Sequence, residues 1–270
     1  MRNLICAAIV AILGAGAASA RAQDAIPNHP ALNDRFYFGG GFFVPKTSTT
    51  AQLNSTTLGT GASIDFEQAL GITTQKTVPE LFGRFRLTDR WRFEAEYFAL
   101  NRRGDQATDR DIQWGNVTFP AGTQVQSKFN FSDIRVSAGY AFFRTADKEL
   151  GVGLGFHMAG YDVSLNSAAA GTEAKKFLAP LPVLSAYGQF ALTEHWAVGG
   201  RLDRFSMSYG DYDGNITSLA LDLMYQPFRH VGFGLAYRSL SINLTATGDN
   251  LTGKFTQNFQ GPLLYMNASF

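Results

Sequence analysis

Charged residues recur at alternate positions within otherwise apolar segments, and they are the first candidates for chemistry. Glu94 and Glu96 are two positions apart, a spacing that could place two carboxylates side by side for acid–base catalysis. Arginines occupy neighbouring alternate positions, which favours structural ion pairing over catalysis. The alternation selects six acids and six bases for one enclosed face: Glu80, Arg84, Arg86, Arg92, Glu94, Glu96, Asp133, Arg135, Arg201, Asp203, Asp222 and Arg238. Because buried charges are costly unless paired, the equal numbers predict a mutually neutralised polar network.

Histidine and glycine patterns offer weaker signals for a site. His157 is the one histidine within an alternating segment, and no serine or pair of aspartates is evident beside it. A hydrogen-bonded histidine is therefore favoured over a catalytic or metal-binding one. Gly151, Gly153 and Gly155 do not form a dinucleotide-binding fingerprint, because Met158 stands where its last glycine belongs. The sequence thus predicts no catalytic residue, no cofactor and no metal site.

The N-terminus has the features of a cleaved secretion signal over residues 1–22. Arg2 precedes an apolar run of small residues, and cleavage fits after Ala20 or Ala22, the second being favoured because it leaves no basic residue at the new terminus. Cys6 lies inside this signal, so disulfides and thiol chemistry are excluded from the processed chain. Removal of Arg2 and Arg21 leaves 21 basic and 22 acidic residues, and no charge excess favours binding of nucleic acid.

The elements that must position these residues are ten segments in which apolar and polar residues alternate with a period of two, as in half-buried β-strands. They are Arg35–Val44, Thr77–Leu87, Trp91–Arg102, Lys128–Phe143, Leu150–Val163, Ala179–Leu192, Trp196–Tyr209, Asn215–Pro227, Val231–Thr245 and Lys254–Phe270. Most exceed the roughly 9 to 11 residues with which a tilted strand crosses a membrane. After the signal, no apolar run reaches the about 18 residues expected of a transmembrane helix.

The connections between these segments alternate in length. The longer ones are 45–76, 103–127, 164–178, 210–214 and 246–253, and the short ones are 88–90, 144–149, 193–195 and 228–230. Long outer loops, short periplasmic turns and an even strand number are typical of bacterial outer-membrane barrels. The prediction is an all-β protein with a single closed antiparallel transmembrane β-barrel of about ten strands over 35–270. A flexible periplasmic N-terminal extension is predicted over 23–34, before the barrel. The number of strands stays open by one hairpin, because the segment 112–127 could also belong to the barrel.

The two faces of each segment are assigned from their composition. The apolar face, with residues such as Leu221 and Phe233, is expected to contact lipid, and the charged face, with Arg92 and Glu94, to line the lumen. Trp91 and Trp196 each follow a short turn, where an indole ring suits the boundary between membrane and water.

Four segments of the processed chain carry a resemblance to a known family: Ile64–Gly71, Thr77–Gly83, Gly210–Thr217 and Gly232–Tyr237. On these segments, and over nearly the whole processed chain, the sequence resembles the OmpA/OmpW-like group of small Gram-negative outer-membrane β-barrel proteins. The C-terminal residues Leu264, Met266, Ala268 and Phe270 share one face and are similar to the signal read by the barrel-assembly machinery, although Ala268 stands where a larger residue is common. The resemblance implies a location in the cell outer membrane, with both termini periplasmic. It also implies lipid and lipopolysaccharide as surroundings, and periplasmic chaperones and the assembly machinery as partners; it implies no substrate.

Two functions remain open at this point. The first is a non-enzymatic, porin-like protein, structural or a narrow channel, whose charge-paired lumen passes at most ions or small solutes. The second is a surface interaction or adhesion module in which loops 45–76 and 103–127 bind an extracellular ligand. Within these loops we expect a short helix over Ile64–Gly71, and a hairpin around Pro120–Gly122 that prolongs the third and fourth strands.

Overall fold

The computed structural model describes residues 28–55, 63–114, 117–209, 212–247 and 251–270. The predicted secretion signal, with Cys6, lies outside these residues. The two short helices are α1 (Pro30–Asn33) and α2 (Phe66–Ala69). The strands are β1 (Phe36–Phe43), β2 (Lys46–Ser55), β3 (Ser63–Asp65), β4 (Val78–Arg86), β5 (Trp91–Ala107), β6 (Ile112–Trp114), β7 (Val117–Phe119), β8 (Gln124–Arg144), β9 (Lys148–Ser167), β10 (Gly171–Ala191), β11 (Trp196–Tyr209), β12 (Tyr212–Tyr225), β13 (Val231–Thr247) and β14 (Leu251–Ser269). Neither described helix has the length to cross a membrane.

The strands form one closed antiparallel barrel. The order β1–β4–β5–β8–β9–β10–β11–β12–β13–β14 returns to β1, and β2 continues the line of β1 along the other half of β14. Counting β1 and β2 as one wall position gives a barrel of ten strands, which confirms the predicted fold class. At the closing seam, Phe36 and Phe270 exchange backbone hydrogen bonds of 2.8 and 2.9 Å. Closure leaves the seam no free strand edge.

The apolar face of each strand points outward. Leu264, Met266 and Phe270 of the expected assembly signal are more than half exposed on the outer surface, as are Leu154 and Phe156. The charged face points into the lumen, where Arg92 is 2% exposed. A soluble monomer rarely exposes so continuous an apolar surface, whereas hydrocarbon accommodates it.

Several strands are longer than predicted, and three loops are corrected as a result. Much of the expected loop 45–76 belongs to the wall, because β2 pairs with β14 continuously from Lys46–Gln260 to Ser55–Leu251. The expected loop 164–178 is largely a hairpin that extends β9 and β10 to the pair Ser167–Gly171. In the expected loop 103–127, Gly104–Ala107 of β5 pair with Gln124–Ser127 of β8. The hairpin expected around Pro120–Gly122 is formed instead by β6 and β7, which make a separate two-stranded sheet. A period of two continues past the membrane, so alternation alone does not show where a wall ends.

The wall has one incomplete ladder between long strands. β10 pairs with β9 over its whole length, from Phe190 to Gly171. Its ladder with β11 begins at Ala191–Ala197 and ends at Leu184–Arg204. Beyond this rung, towards the long-loop end of the barrel, 171–183 of β10 have no partner in β11. Pro180 and Pro182 lie in the unpaired stretch, and proline cannot donate to a ladder.

The N-terminal segment packs into the mouth at the short-turn end. His29, Ala31 and Leu32 are at most 1% exposed, and the Asp34 carboxylate binds Arg229 at 2.7 and 2.9 Å. Helix α1 begins with Pro30, and the His29 ring accepts a hydrogen bond from the Ala31 N–H. The prediction of a flexible extension over 23–34 is therefore wrong for residues 29–34, which are packed in this mouth and close it. Apolar burial of Leu32 and pairing of Asp34 hold the segment in place.

Candidate functional site

The lumen at the short-turn end is filled by arginines gathered around one glutamate. Glu149, which is fully buried, receives Arg86 at 2.7 Å and Arg92 at 3.2 Å. The Arg86 guanidinium also donates to the Leu32 carbonyl at 3.0 Å, and Arg84 donates to the carbonyl of Ala31 and to Gln189. Glu149 is not among the residues selected from the sequence, because the alternation predicts a strand that begins at Leu150 and places Glu149 in the preceding turn. The strand begins at Lys148, which turns Glu149 inward.

The centre of the lumen is a chain of alternating charges. Arg135 binds Asp203 through two hydrogen bonds of 2.7 and 3.1 Å and Glu94 at 3.2 Å. Arg201 bridges Asp203 and Glu96, and Arg92 reaches Glu94 at 2.9 Å. These contacts join strands on opposite sides of the barrel, so each carboxylate meets at least one guanidinium.

A smaller cluster completes the charged layer. Arg238 forms two hydrogen bonds of 3.0 Å with Asp222 and contacts Glu80 at 3.3 Å. All twelve residues selected from the sequence thus face the lumen. Ten of them form carboxylate–guanidinium ion pairs; Arg84 binds neutral acceptors, and Asp133 binds a histidine.

That histidine is His157, and its surroundings differ from the sequence expectation. Its Nδ1 lies 2.8 Å from Asp133 and its Nε2 lies 3.7 Å from Asp203, which in turn accepts a hydrogen bond from Ser185 at 2.5 Å. Two aspartates therefore do flank His157. Strand alternation places all of these residues inward, but only the packing of the neighbouring strands β8, β9, β10 and β11 brings them together. The voids beside this layer have volumes of about 30 and 70 Å³, enough for water.

The loop between β2 and β4 is tied to the wall by a separate ion pair. Arg102, 1% exposed, binds Glu67 of α2 at 2.5 Å and the Thr49 hydroxyl at 2.9 Å. The helix expected over Ile64–Gly71 is present as α2, with Asp65 accepting a hydrogen bond from the Gln68 N–H at its start. Gly71 has a φ of 62° after its end. This segment covers the region of the wall beyond the short strand β4, where β2 and β5 are not paired with each other.

An aromatic layer lies on the long-loop side of the charges. Phe131 is the centre of this layer: its ring centroid lies 4.5 Å from that of Phe259, 5.2 Å from that of Tyr161 and 5.7 Å from that of Phe98. Phe43 packs edge-on against Phe98 at 5.5 Å. Phe131 and Phe259 are each 1% exposed. The layer crosses the lumen and separates the charges from the space beyond.

That space is an apolar cavity of about 630 Å³. Apolar side chains from opposite walls line it, including Leu165, Phe205, Ile216 and Leu244. Ligand pockets in proteins have volumes of about 300–1,000 Å³ and are mostly apolar. The sequence does not predict this cavity, because it indicates a polar lumen along the whole length of the strands. In the described ranges, no group of three or more His, Cys, Asp or Glu side chains is arranged to hold a metal ion.

Comparison with known proteins identifies the fold. No family model matches the chain, and no curated protein does. Among solved structures, the outer-membrane protease OmpT of Escherichia coli superposes with a TM-score of 0.56 at 11% identity, over 87% of this chain and 97% of that one. This is the fold of a small outer-membrane barrel.

Other barrels align over most of the chain with lower TM-scores. OprG of Pseudomonas aeruginosa has a TM-score of 0.40 at 13% identity, over 91% of this chain and 99% of that one. The toluene transporter TodX of P. putida has a TM-score of 0.34 at 11% identity, over 91% of this chain and 94% of that one. At 11% identity, the superposition with OmpT identifies an architecture and leaves activity to the geometry of the lumen.

Proposed function

We propose that this protein is a non-enzymatic barrel of the Gram-negative outer membrane whose lumen is closed and passes, at most, ions or small solutes. The short-turn end, with both termini, faces the periplasm and the long loops face outward, as connection lengths favour. Lipid and lipopolysaccharide surround the barrel. Periplasmic chaperones and the assembly machinery handle it during insertion.

The single observation that carries the closed state is the bridging of the lumen by Arg135. This side chain projects from β8 to Asp203 on β11 and also contacts Glu94 on β5. Residues 29–34, which we call the plug, lie on the short-turn side of the charged layer that contains Arg135. The aromatic layer around Phe131 lies on its other side. A hydrated solute that crosses the barrel would have to displace all three.

The proposal of a non-enzymatic role is supported by the burial of the histidine constellation. His157, Asp133 and Asp203 are at most 4% exposed, and the voids beside them have room for water and not for a peptide or a lipid. A general base must come within hydrogen-bond reach of its substrate. OmpT is a protease, and its likeness to this chain is one of fold.

The alternative function, surface interaction through the loops, has fewer exposed loop residues available than the sequence predicts. Lys46–Ser55 belong to the wall, and Phe66, Leu70 and Ile72 of the same connection are at most 3% exposed. In the other connection, Ile112 and Phe119 are buried. Both segments therefore direct their apolar residues into the protein.

Planar-bilayer recording of the refolded barrel tests the closed state. We expect no stable open-channel steps from the wild type, and stable steps from the triple variant Leu32→Ala/Phe131→Ala/Arg135→Ala, which removes one member of each of the three blocking layers. The variant Arg110→Ala, at an exposed surface pair with Asp109, is the matched control and should behave as the wild type. Stable steps from the wild type would contradict the proposal and favour an open channel.

A further inference from the structure

We propose that the outer face of β5 and β8 carries a binding site for lipopolysaccharide, in which Arg103 and Lys128 bind a phosphate of lipid A and a groove beneath them holds an acyl chain. The inference rests on the proposed location in the outer membrane, where lipopolysaccharide surrounds the barrel, and it names the place at which this lipid binds. It does not involve the lumen. Three observations carry it: two cations without counter-charges, their level in the membrane, and the groove.

The two cations face each other across the sheet. Arg103 and Lys128 are directly opposite in the ladder between β5 and β8, and both side chains are exposed. Side chains in such positions have Cβ atoms about 5 Å apart, where like charges destabilise the sheet. Within the part of the chain that the structure describes, neither side chain has an ion pair or a hydrogen bond. A phosphate between them would remove the repulsion and accept hydrogen bonds from both.

The carboxylates on this part of the outer face have partners of their own. Asp105, the next outward residue of β5, accepts a hydrogen bond of 2.6 Å from a glutamine amide of β8. Asp162 of β9 binds Lys176 at 3.1 Å. A third cation adds to the positive excess, because the Lys76 ammonium donates to the Asn101 carbonyl at 2.6 Å and has no carboxylate partner in the described ranges. The cluster therefore suits a ligand with more than one anionic group, and lipid A carries two phosphates.

The level of the cations corresponds to the head groups of the outer leaflet. Trp91 marks the membrane boundary at the short-turn end, and from there β5 rises about 3.3 Å per residue at a tilt of about 40°. Arg103 therefore lies about 30 Å above Trp91, whereas the apolar band of such a barrel is about 25 Å tall. The outward residues of β5 are apolar as far as Ala99, and Asn101 begins the polar surface. Arg103 and Lys128 thus lie just outside the hydrocarbon, at the height of lipid phosphates.

The groove lies in the outer wall directly beneath the cations. Its floor is formed by Ala99, Ser132 and Gly160, which are opposite one another on three adjacent strands. Tyr97 and Leu178 border it and are 43% and 60% exposed, and its volume is about 600 Å³. A lipid whose phosphate is held by the cations above has its acyl chains at this height. One molecule of lipid A can therefore occupy the cations and the groove together.

Native mass spectrometry of the detergent-solubilised barrel with added lipid A tests the site. The wild type should bind lipid A about tenfold more tightly than phosphatidylglycerol. The variant Arg103→Gln/Lys128→Gln should weaken binding of lipid A about tenfold, as for the loss of two exposed ion pairs. The matched control is Arg110→Gln/Arg204→Gln, which removes two exposed arginines from the same end of the barrel and should leave binding unchanged. Equal weakening in the control, or equal affinity of the wild type for phosphatidylglycerol, would overturn the proposal, since either result shows a general attraction of anionic lipids.

Removal of the phosphates from lipid A tests the role of the two cations. The wild type should bind the dephosphorylated lipid about as weakly as Arg103→Gln/Lys128→Gln binds the intact one, and this variant should not distinguish the two lipids. If the variant lost as much affinity for the dephosphorylated lipid as for intact lipid A, the assignment of Arg103 and Lys128 to a phosphate would be refuted.

Filling the groove tests the position of the acyl chain. Ala99→Leu should weaken binding of lipid A about threefold, because its side chain occupies the floor of the groove. Ala95→Leu, at an outward position of the same strand outside the groove, is the matched control and should bind as the wild type does. Heat-modifiable gel mobility checks that each variant is folded. Unchanged binding by folded Ala99→Leu would exclude the groove from the site.

Fractionation of cell envelopes separates failure of this site from failure of the proposed location. A barrel that is found in the outer membrane but shows no preference for lipid A would refute the site alone. A barrel that is absent from the outer membrane would refute the location on which the site rests.

Discussion

Arg135 shows most directly what a single residue does in this lumen. Its guanidinium is 1% exposed and binds Asp203 and Glu94, so its removal leaves carboxylates buried beside fewer cations. Breaking a buried pair by deleting one partner typically costs about 3–5 kcal/mol, far more than the pair contributes to net stability. The pairs in the lumen therefore favour this one arrangement of side chains over others.

The variant Arg135→Ala should accordingly lower the free energy of unfolding by about 3–5 kcal/mol, measured by urea titration of the barrel in vesicles. Arg110→Ala, whose ion pair with Asp109 is exposed, should change it by at most about 1 kcal/mol. Equal losses in the two variants would show that the lumen network is solvated.

At the scale of elements, the barrel depends on the seam between its first and last strands. β14 pairs with β1 over Tyr37–Ser269 to Phe43–Leu263, and Phe270 extends this contact by stacking on Phe38 at 6.1 Å and on His230 at 4.8 Å. The two strands are more than 200 residues apart in sequence, so closing the seam requires a large loss of chain entropy.

Phe270→Ala should slow assembly of the barrel in cells, because it weakens both the seam and the face that the assembly machinery is expected to read. The measurement is the fraction with heat-modifiable gel mobility after a pulse of synthesis. Phe228→Ala, at an exposed ring in a short turn, is the matched control and should assemble at the rate of the wild type. Normal assembly of Phe270→Ala would count against a role for the C-terminal aromatic.

At the scale of the whole molecule, the lumen is divided into layers: a plug, paired charges, aromatic rings and an apolar cavity. Burial lowers the pKa of His29 below its ordinary value of 6.5, so docking of the plug is expected to depend on pH. The docked segment therefore favours the neutral imidazole. Docking is strongest above pH 6.5 and weakens as the pH falls below it, since the undocked histidine takes up a proton first.

Labelling of a cysteine in place of Leu32, a residue 1% exposed, measures this docking. The rate of reaction with a maleimide should be low at neutral pH and should rise on acidification, relative to an exposed cysteine in place of Asp109 that corrects for the chemistry of the thiol. In the background His29→Asn the relative rate should not depend on pH. A pH-independent rate with His29 present would show that protonation of His29 does not control docking.

The sequence by itself determined the elements that depend on local pattern. A period of two distinguishes the outward Leu221 from the inward Arg92, whatever the partner strand, because successive side chains of a strand point to opposite faces. The predicted number of ten strands follows from the same alternation and from the turns between them. Trp91 and Trp196 were likewise placed by their position after short turns.

Only the tertiary structure decided which inward residues meet. The contacts of His157 with Asp133 and Asp203, and of Glu149 with Arg86, depend on register and on distances across the barrel, which link residues that are far apart in sequence. The plug, the aromatic floor and the cavity above it have the same origin. The end of the β10–β11 ladder at Leu184–Arg204 is also tertiary, since both strands continue beyond it while the pairing between them does not.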